Sequence, residues 1–163
     1  MKNINQFITE YIIKKKLDEP IDSEDHYTYF PNTKEELISN IDELLDKEIS
    51  DFNFINTSKI RNMSNLFFYK NFNRKQKSIL KDIDISKWDV SNVTNMNYMF
   101  NGCISFDGDL SNWNVSNVKD MSCMFYACRK FKNNNLKIWN TEKLEHTYKI
   151  FYGCTSLKNK PTW

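Results

Sequence analysis

Trp88-Asp89-Val90-Ser91-Asn92-Val93-Thr94-Asn95-Met96-Asn97-Tyr98-Met99-Phe100-Asn101-Gly102-Cys103 returns 25 residues later as Trp113-Asn114-Val115-Ser116-Asn117-Val118-Lys119-Asp120-Met121-Ser122-Cys123-Met124-Phe125-Tyr126-Ala127-Cys128. Each copy is preceded three residues earlier by Ile85 or Leu110 and followed by Phe106 or Phe131. A weaker copy lies 26 residues further on, where Leu136, Trp139, Leu144, Thr147, Ile150, Phe151, Cys154 and Leu157 keep the frame. A degenerate copy lies 33 residues before the first, with Phe52, Ile55, Ile60, Met63, Leu66 and Phe67 on the same positions. Self-similarity at a fixed period of this size marks a repeat architecture, in which no unit buries its apolar face alone and neighbours must stack.

Two periodicities share the repeat. The opening L-x-x-W-x-V has the spacing of a short strand with alternate side chains inward, which buries Trp113 and Val115 and turns Asn112 and Asn114 outward. The continuation V-x-x-M-x-x-M-F-x-x-C has the three- and four-residue spacing of one helical face. The expectation is an α/β fold, a leucine-rich-repeat-like right-handed solenoid with short parallel strands and short helices behind a helical N-terminal cap. Residues 51–163 hold about four repeats. Lys70 to Lys81 is an insertion, and Pro161-Thr162-Trp163 is a C-terminal plug with Trp163 near the next Trp position.

Residues 1–50 supply the cap. Ile4, Phe7, Ile8, Tyr11 and Ile12 fall on one face of a first helix that ends before Pro20. Thr33-Lys34-Glu35-Glu36 is a capping box that opens a second helix with Ile38, Ile41, Leu44 and Leu45 as its apolar stripe. His26 to Phe30 reads as a short strand between them. With 163 residues and 40% hydrophobic content, cap and repeats are expected to form one cooperative unit.

Three glycines and three prolines leave no glycine-rich phosphate cradle and no Pro/Gly linker. The net charge of +2 conceals an asymmetry. Residues 1–50 carry six basic and twelve acidic side chains, and residues 51–163 carry seventeen and nine. Asn, Gln and Glu10 interrupt the first residues, so no leader is expected; no stretch has the roughly 18 apolar residues of a membrane span, and the expected location is cytoplasmic.

The conspicuous residues read as core. Cys103, Cys128 and Cys154 recur at one repeat position, and a line of thiols does not supply the converging ligands of a zinc site; the expected short helix sets Cys123 on the side away from Cys128. The four thiols are expected to be unpaired and no metal or cofactor is expected. His26 and His146 belong to no triad, metal pair or Walker loop, and an enzyme is not expected. Two surfaces remain. One is the outward strand face, with a column of Phe54, Lys87, Asn112 and Ile138 beside a column of Asn56, Asp89, Asn114 and Asn140. From these, Phe54, Lys87, Asp89, Asn112, Asn114, Ile138 and Asn140 are the expected partner contacts. The other is the insertion, where Lys70, Arg74, Lys75, Lys77 and Lys81 stand with Tyr69, a composition suited to nucleic acid or an acidic partner.

The run Trp88 to Cys103 and its copy from Trp113 resemble the BspA-like leucine-rich-repeat family, whose repeat also occurs in mycoplasma-type lipoprotein surface proteins. The resemblance covers about residues 52–163. It implies a non-enzymatic scaffold used for adhesion or protein binding. A short leaderless copy in an Asn/Lys/Ile-rich chain further suggests a phage or mobile-element inhibitor that occludes a host defence complex, in the manner of an anti-CRISPR protein. Three classes stay open: protein-binding module, nucleic-acid or ribonucleoprotein binder through the insertion, and surface adhesin. None of them uses a small-molecule substrate.

Overall fold

A computed structural model describes residues 27–132 and 134–163. The expected first helix, and His26, lie outside these residues. The second cap helix is present as α1 (Lys34–Asp46), with Thr33 accepting the Glu36 amide at 3.2 Å as its N-cap. Leu37, Ile41, Leu44 and Leu45 are its buried residues, whereas Ile38 is exposed. The strand expected at 26–30 is reduced to a single parallel bridge between Tyr29 and Ile55.

The expected strand-and-helix solenoid is not what the repeats form. Among the described residues there is no sheet, and parallel pairing is confined to isolated bridges such as Asn62 to Asn95, Asn95 to Asp120 and Asp120 to His146. These bridges join the V-x-[DN]-M segments, not the L-x-x-W-x-V segments that read as strands. Nor is V-x-x-M-x-x-M-F-x-x-C a helix.

Consecutive turns explain both corrections. At five pairs of apolar residues three apart, the amide of the second donates to the carbonyl of the first: Trp88 to Ile85 (3.1 Å), Val93 to Val90 (2.9 Å), Met99 to Met96 (3.2 Å), Cys103 to Phe100 (2.9 Å) and Phe106 to Cys103 (3.1 Å). A chain of three-residue turns brings every third residue back to one side and so imitates helical spacing. Two of these turns carry left-handed backbone at their third residue. At the Met turn the residues are Asn65 (φ 58°), Tyr98 (56°), Cys123 (55°) and Lys149 (52°), and at the Phe turn they are Gly102 (79°), Ala127 (60°) and Gly153 (77°). That is the geometry of a type II turn, repeated in register.

The turns use only part of the amides. The others run along the stack: Met96, Tyr98, Phe100 and Gly102 donate to the carbonyls of Asp120, Ser122, Met124 and Tyr126 in the following repeat. Met63, Asn65, Phe67 and Tyr69 do the same to residues 95, 97, 99 and 101, and Met121, Cys123, Phe125 and Ala127 to residues 146, 148, 150 and 152. An amide committed to its own turn cannot join a ladder, so a continuous strand is replaced by forward rungs at alternate residues, preceded at each junction by a bond running back, as from Thr94 to the Arg61 carbonyl and from Lys119 to the Thr94 carbonyl. Asx side chains begin three of the five turns. Asp84, Asp89 and Asn95 accept the amides of Ser86, Ser91 and Asn97 at 2.9 to 3.0 Å, and Asp109, Asn114 and Asp120 repeat the pattern.

Inside, the repeated side chains form columns. Phe67, Phe100, Phe125 and Phe151 stack with ring centroids 5.4 to 5.7 Å apart, with Phe106 and Phe131 set against them at 4.3 Å. The burial of Trp88, Trp113 and Trp139 agrees with the sequence pattern. Their indoles donate back to the carbonyls of Phe52, Ile85 and Leu110 at 2.8 to 3.2 Å. The tryptophan thus closes the one polar group that it brings into the core.

The insertion is an ordered structure rather than a loop. A 3-10 turn (Tyr69–Asn71) leads into α2 (Arg74–Ile79), capped reciprocally by Asn73 and Gln76. Phe72 and Leu80 are buried, and Gln76 reaches the Asp46 carboxylate at the end of α1 at 3.3 Å.

Candidate functional site

The residue types with the most chemistry are occupied in the core. The thiols of Cys103, Cys128 and Cys154 donate to the carbonyls of Phe67, Phe100 and Phe125 at 2.9 to 3.0 Å. All four cysteines are free and buried. Burial pushes the Cys103 thiol up to about 12 and Cys154 to about 11, and raises Cys128 further, so none of the three is a thiolate near neutral pH. Among the described residues no group of three or more His, Cys, Asp and Glu could hold a metal ion.

The expected strand-face contacts separate into different roles. Phe54 is only 3% exposed and packs on Tyr29 with centroids 6.0 Å apart, so it belongs to the core beneath the cap and not to an outward column. Lys87 and Asn112 are exposed, and Ile138 is 73% exposed on the 3-10 turn Asn134–Ile138. Asn56, Asp89, Asn114 and Asn140 do not form an amide ladder along the stack. Each accepts the amide two residues on in its own turn, from Ser58, Ser91, Ser116 and Glu142. The amides that do bridge repeats are those of Asn92 to the Ser58 carbonyl and Asn117 to the Ser91 carbonyl, both at 2.8 Å.

In the insertion, three of the five basic groups are engaged. Lys75 pairs with Glu48 (3.0 Å), Lys77 lies over the Tyr69 ring (4.4 Å from its centroid) and Lys81 pairs with Asp82 (3.3 Å). Lys70 and Arg74 are exposed. A cleft lined by Tyr69, Lys77, Lys81, Ile104, Ser105 and Phe106 separates the insertion from the next repeat.

A third surface is one that the repeat frame does not single out. The outward positions of the Met and Phe turns carry aromatic residues where a solvated turn would carry Asn or Ser. Tyr98 is 39% exposed, Tyr148 64% and Tyr152 57%, with Phe68 and Tyr126 half-buried beside them. Phe68 meets Tyr98 edge-on at 6.4 Å, and Tyr126 stacks on Tyr152 at 5.0 Å. The Lys149 ammonium lies over both Tyr148 (5.0 Å) and Tyr152 (5.4 Å). The buried Cys123 thiol joins the two ends of this edge: it contacts the Tyr148 carbonyl at 3.6 Å, and its hydrogen bond with the Tyr98 phenol holds that phenol above its ordinary range. Tyr98, Tyr148 and the pair Tyr126 and Tyr152 occupy three different positions of the repeat, so no single column of the sequence finds this edge.

No helix among the described residues is long and apolar enough to cross a membrane. No curated protein and no solved structure matches the chain. The profile of a family described as a Mycoplasma protein of unknown function, DUF285, matches residues 34–163, which takes in α1 and every repeat, and the chain belongs to that family.

Proposed function

We propose that this protein is a non-catalytic, protein-binding repeat scaffold whose contact surface is the edge formed by Phe68, Tyr98, Tyr126, Tyr148 and Tyr152. The observation that carries the reading is the exposure of aromatic rings at turn positions, Tyr98 at 39%, Tyr148 at 64% and Tyr152 at 57%, with Tyr126 stacked on Tyr152. Exposed apolar surface gathered in one place marks a site of interaction. Tyrosine is suited to such a site because it presents a large amphipathic ring with few rotatable bonds. The resemblance of the repeats to BspA-like surface proteins supports the same class, since that resemblance implies adhesion or protein binding. The described residues point to no host-defence complex in particular, so the proposal is confined to a protein partner.

Nucleic-acid binding through the insertion draws on Lys70 and Arg74, the two exposed basic residues there without a carboxylate partner among the described residues. Two such charges are few for a phosphate-tracking surface. The test is affinity capture from the source organism with identification of bound protein and nucleic acid. Wild type is compared with Tyr148→Ala/Tyr152→Ala, Lys70→Glu/Arg74→Glu and Lys87→Ala/Ile138→Ala. Loss of a protein partner in the tyrosine variant alone is expected. Retention in that variant with loss in either of the others would move the site.

A further inference from the structure

Along the Met-Phe segment the hydrogen bonds that join the repeats run forward, while single bonds on either side of it, such as Lys119 to the Thr94 carbonyl and Lys130 to the Ile104 carbonyl, run back. In three successive junctions, four alternate amides of one repeat donate to four alternate carbonyls of the next, at 2.7 to 3.0 Å every time. In the last repeat the equivalent amides are those of Thr147, Lys149, Phe151 and Gly153, and none has an acceptor among the described residues. A line of unpaired amides at alternate residues is the donor half of a backbone pairing, and it presents the same template as an open sheet edge.

Charge and a buried donor mark the same end of the molecule. From His146 onwards the chain carries Lys149, Lys158 and Lys160 and no carboxylate side chain, while the nearest acid, Glu145, is paired with Lys119 at 3.0 Å. Trp163 stacks on Trp139 (6.2 Å) and tilts against Phe151 (5.9 Å), and its indole N–H is buried without an acceptor, unlike those of the other three tryptophans.

We infer that this edge docks an extended, acidic peptide segment of a second protein chain. The segment lies parallel to residues 147–153 and offers alternate carbonyls to the four free amides. The inference rests on the protein-binding reading above and supplies its partner chemistry: main-chain pairing gives the register, Tyr148 and Tyr152 flank it, and the lysines select carboxylates. The acidic face of α1 cannot be the matching half within one molecule, because α1 covers the opposite end of the stack, where Lys34 reaches Ser64 at 2.9 Å.

Amide hydrogen exchange by NMR on the full chain tests it. The probes are synthetic peptides copying residues 120–128, with both cysteines replaced by serine and with two aspartates or two lysines at each end. In the free protein, Lys149, Phe151 and Gly153 are expected to exchange about 100-fold faster than Cys123, Phe125 and Ala127, after correction for intrinsic rates. The aspartate-flanked peptide should slow the first set by about 10-fold or more, and the lysine-flanked peptide should not. The inference is overturned if those amides are already as protected as 123–127, if neither peptide slows them, or if both do so equally. Ring shifts at Tyr98 and Tyr126 with the four amides still fast would overturn the docking edge while leaving the tyrosine edge as the contact surface.

Discussion

Replacing Gly102 by alanine, and Ala127 by glycine, sets the turn geometry against the helical spacing of the same residues. The two positions are equivalent in successive repeats, and both have left-handed backbone, φ 79° and 60°. For Gly102→Ala, the left-handed conformation costs an L-residue about 1–2 kcal/mol, and the narrower unfolded ensemble of alanine returns about 0.4–1 kcal/mol. The new Cβ would also stand 3.1 Å from the Cβ of Tyr69, close enough that the insertion must give way. The expected result is a loss of about 1 kcal/mol, or about 2–4 °C in melting temperature for a chain of this size. Ala127→Gly reverses the first two contributions and forfeits a half-buried methyl, leaving a gain of about 0.5 kcal/mol. If the Met-Phe-Cys segment were helical, both signs would invert, since glycine in a helix interior is about 1 kcal/mol worse than alanine. Urea unfolding followed by tryptophan fluorescence reads both variants against wild type. A stabilised Gly102→Ala together with a destabilised Ala127→Gly would refute the turn assignment.

Trp113→Phe removes the indole donor to the Ile85 carbonyl at 3.0 Å and leaves a small void in the core. A loss of about 2 kcal/mol in the same urea assay is expected, and an unchanged midpoint would contradict the closed tryptophan column. Thr33→Ala deletes the N-cap of α1 and should cost about 1 kcal/mol, read by thermal melting, provided the cap unfolds with the repeats. The raised thiols make a pH-dependent contribution with a definite sign. A thiol held neutral on folding supports stability fully below its ordinary value of 9.0 and loses that support as pH rises towards about 12 for Cys103 and about 11 for Cys154. Urea midpoints at about pH 8 and about pH 10 should therefore fall less in Cys103→Ala than in wild type, and equal slopes would show that burial does not shift this thiol. At about pH 8, Cys103, Cys128 and Cys154 should resist alkylation in the native protein and react on unfolding, as followed by mass spectrometry.

The frame, the burial of its apolar positions and the stacking of repeats were legible in the sequence, because identical side chains at a fixed period can be satisfied only by identical neighbours. The secondary structure was not. A three-residue spacing is shared by helices and by consecutive turns, and the residues that decide between them are Gly102 and Gly153, with Asn65 in the companion turn. Phe54 seemed outward because alternation was counted from Phe52 as if along a strand; the turn and Tyr29 fold it in. Asp89, Asn114 and Asn140 read as outward contacts on a column of Asn and Asp, but each closes its own turn because the acceptor oxygen lies nearest its own chain's amide two residues on. The insertion read as a basic stretch suited to nucleic acid or an acidic partner, and its anchoring by Phe72, Gln76 and Leu80 was not foreseen. The tyrosine edge escaped because one residue per turn at irregular positions forms no motif; it becomes a surface only once the turns bring Tyr98, Tyr126, Tyr148 and Tyr152 to one side.

Scalar couplings across hydrogen bonds, measured by NMR on the isotopically labelled chain, test the central claim most directly. The turn-built stack predicts couplings from the amides of Tyr98, Phe100 and Gly102 to the carbonyls of Ser122, Met124 and Tyr126, interleaved with couplings from Met99 to Met96 and from Cys103 to Phe100. Couplings between residues four apart within 96–103, or reciprocal donation from 122–126 back to 98–102, would contradict it and restore a helix or a strand at the heart of the repeat.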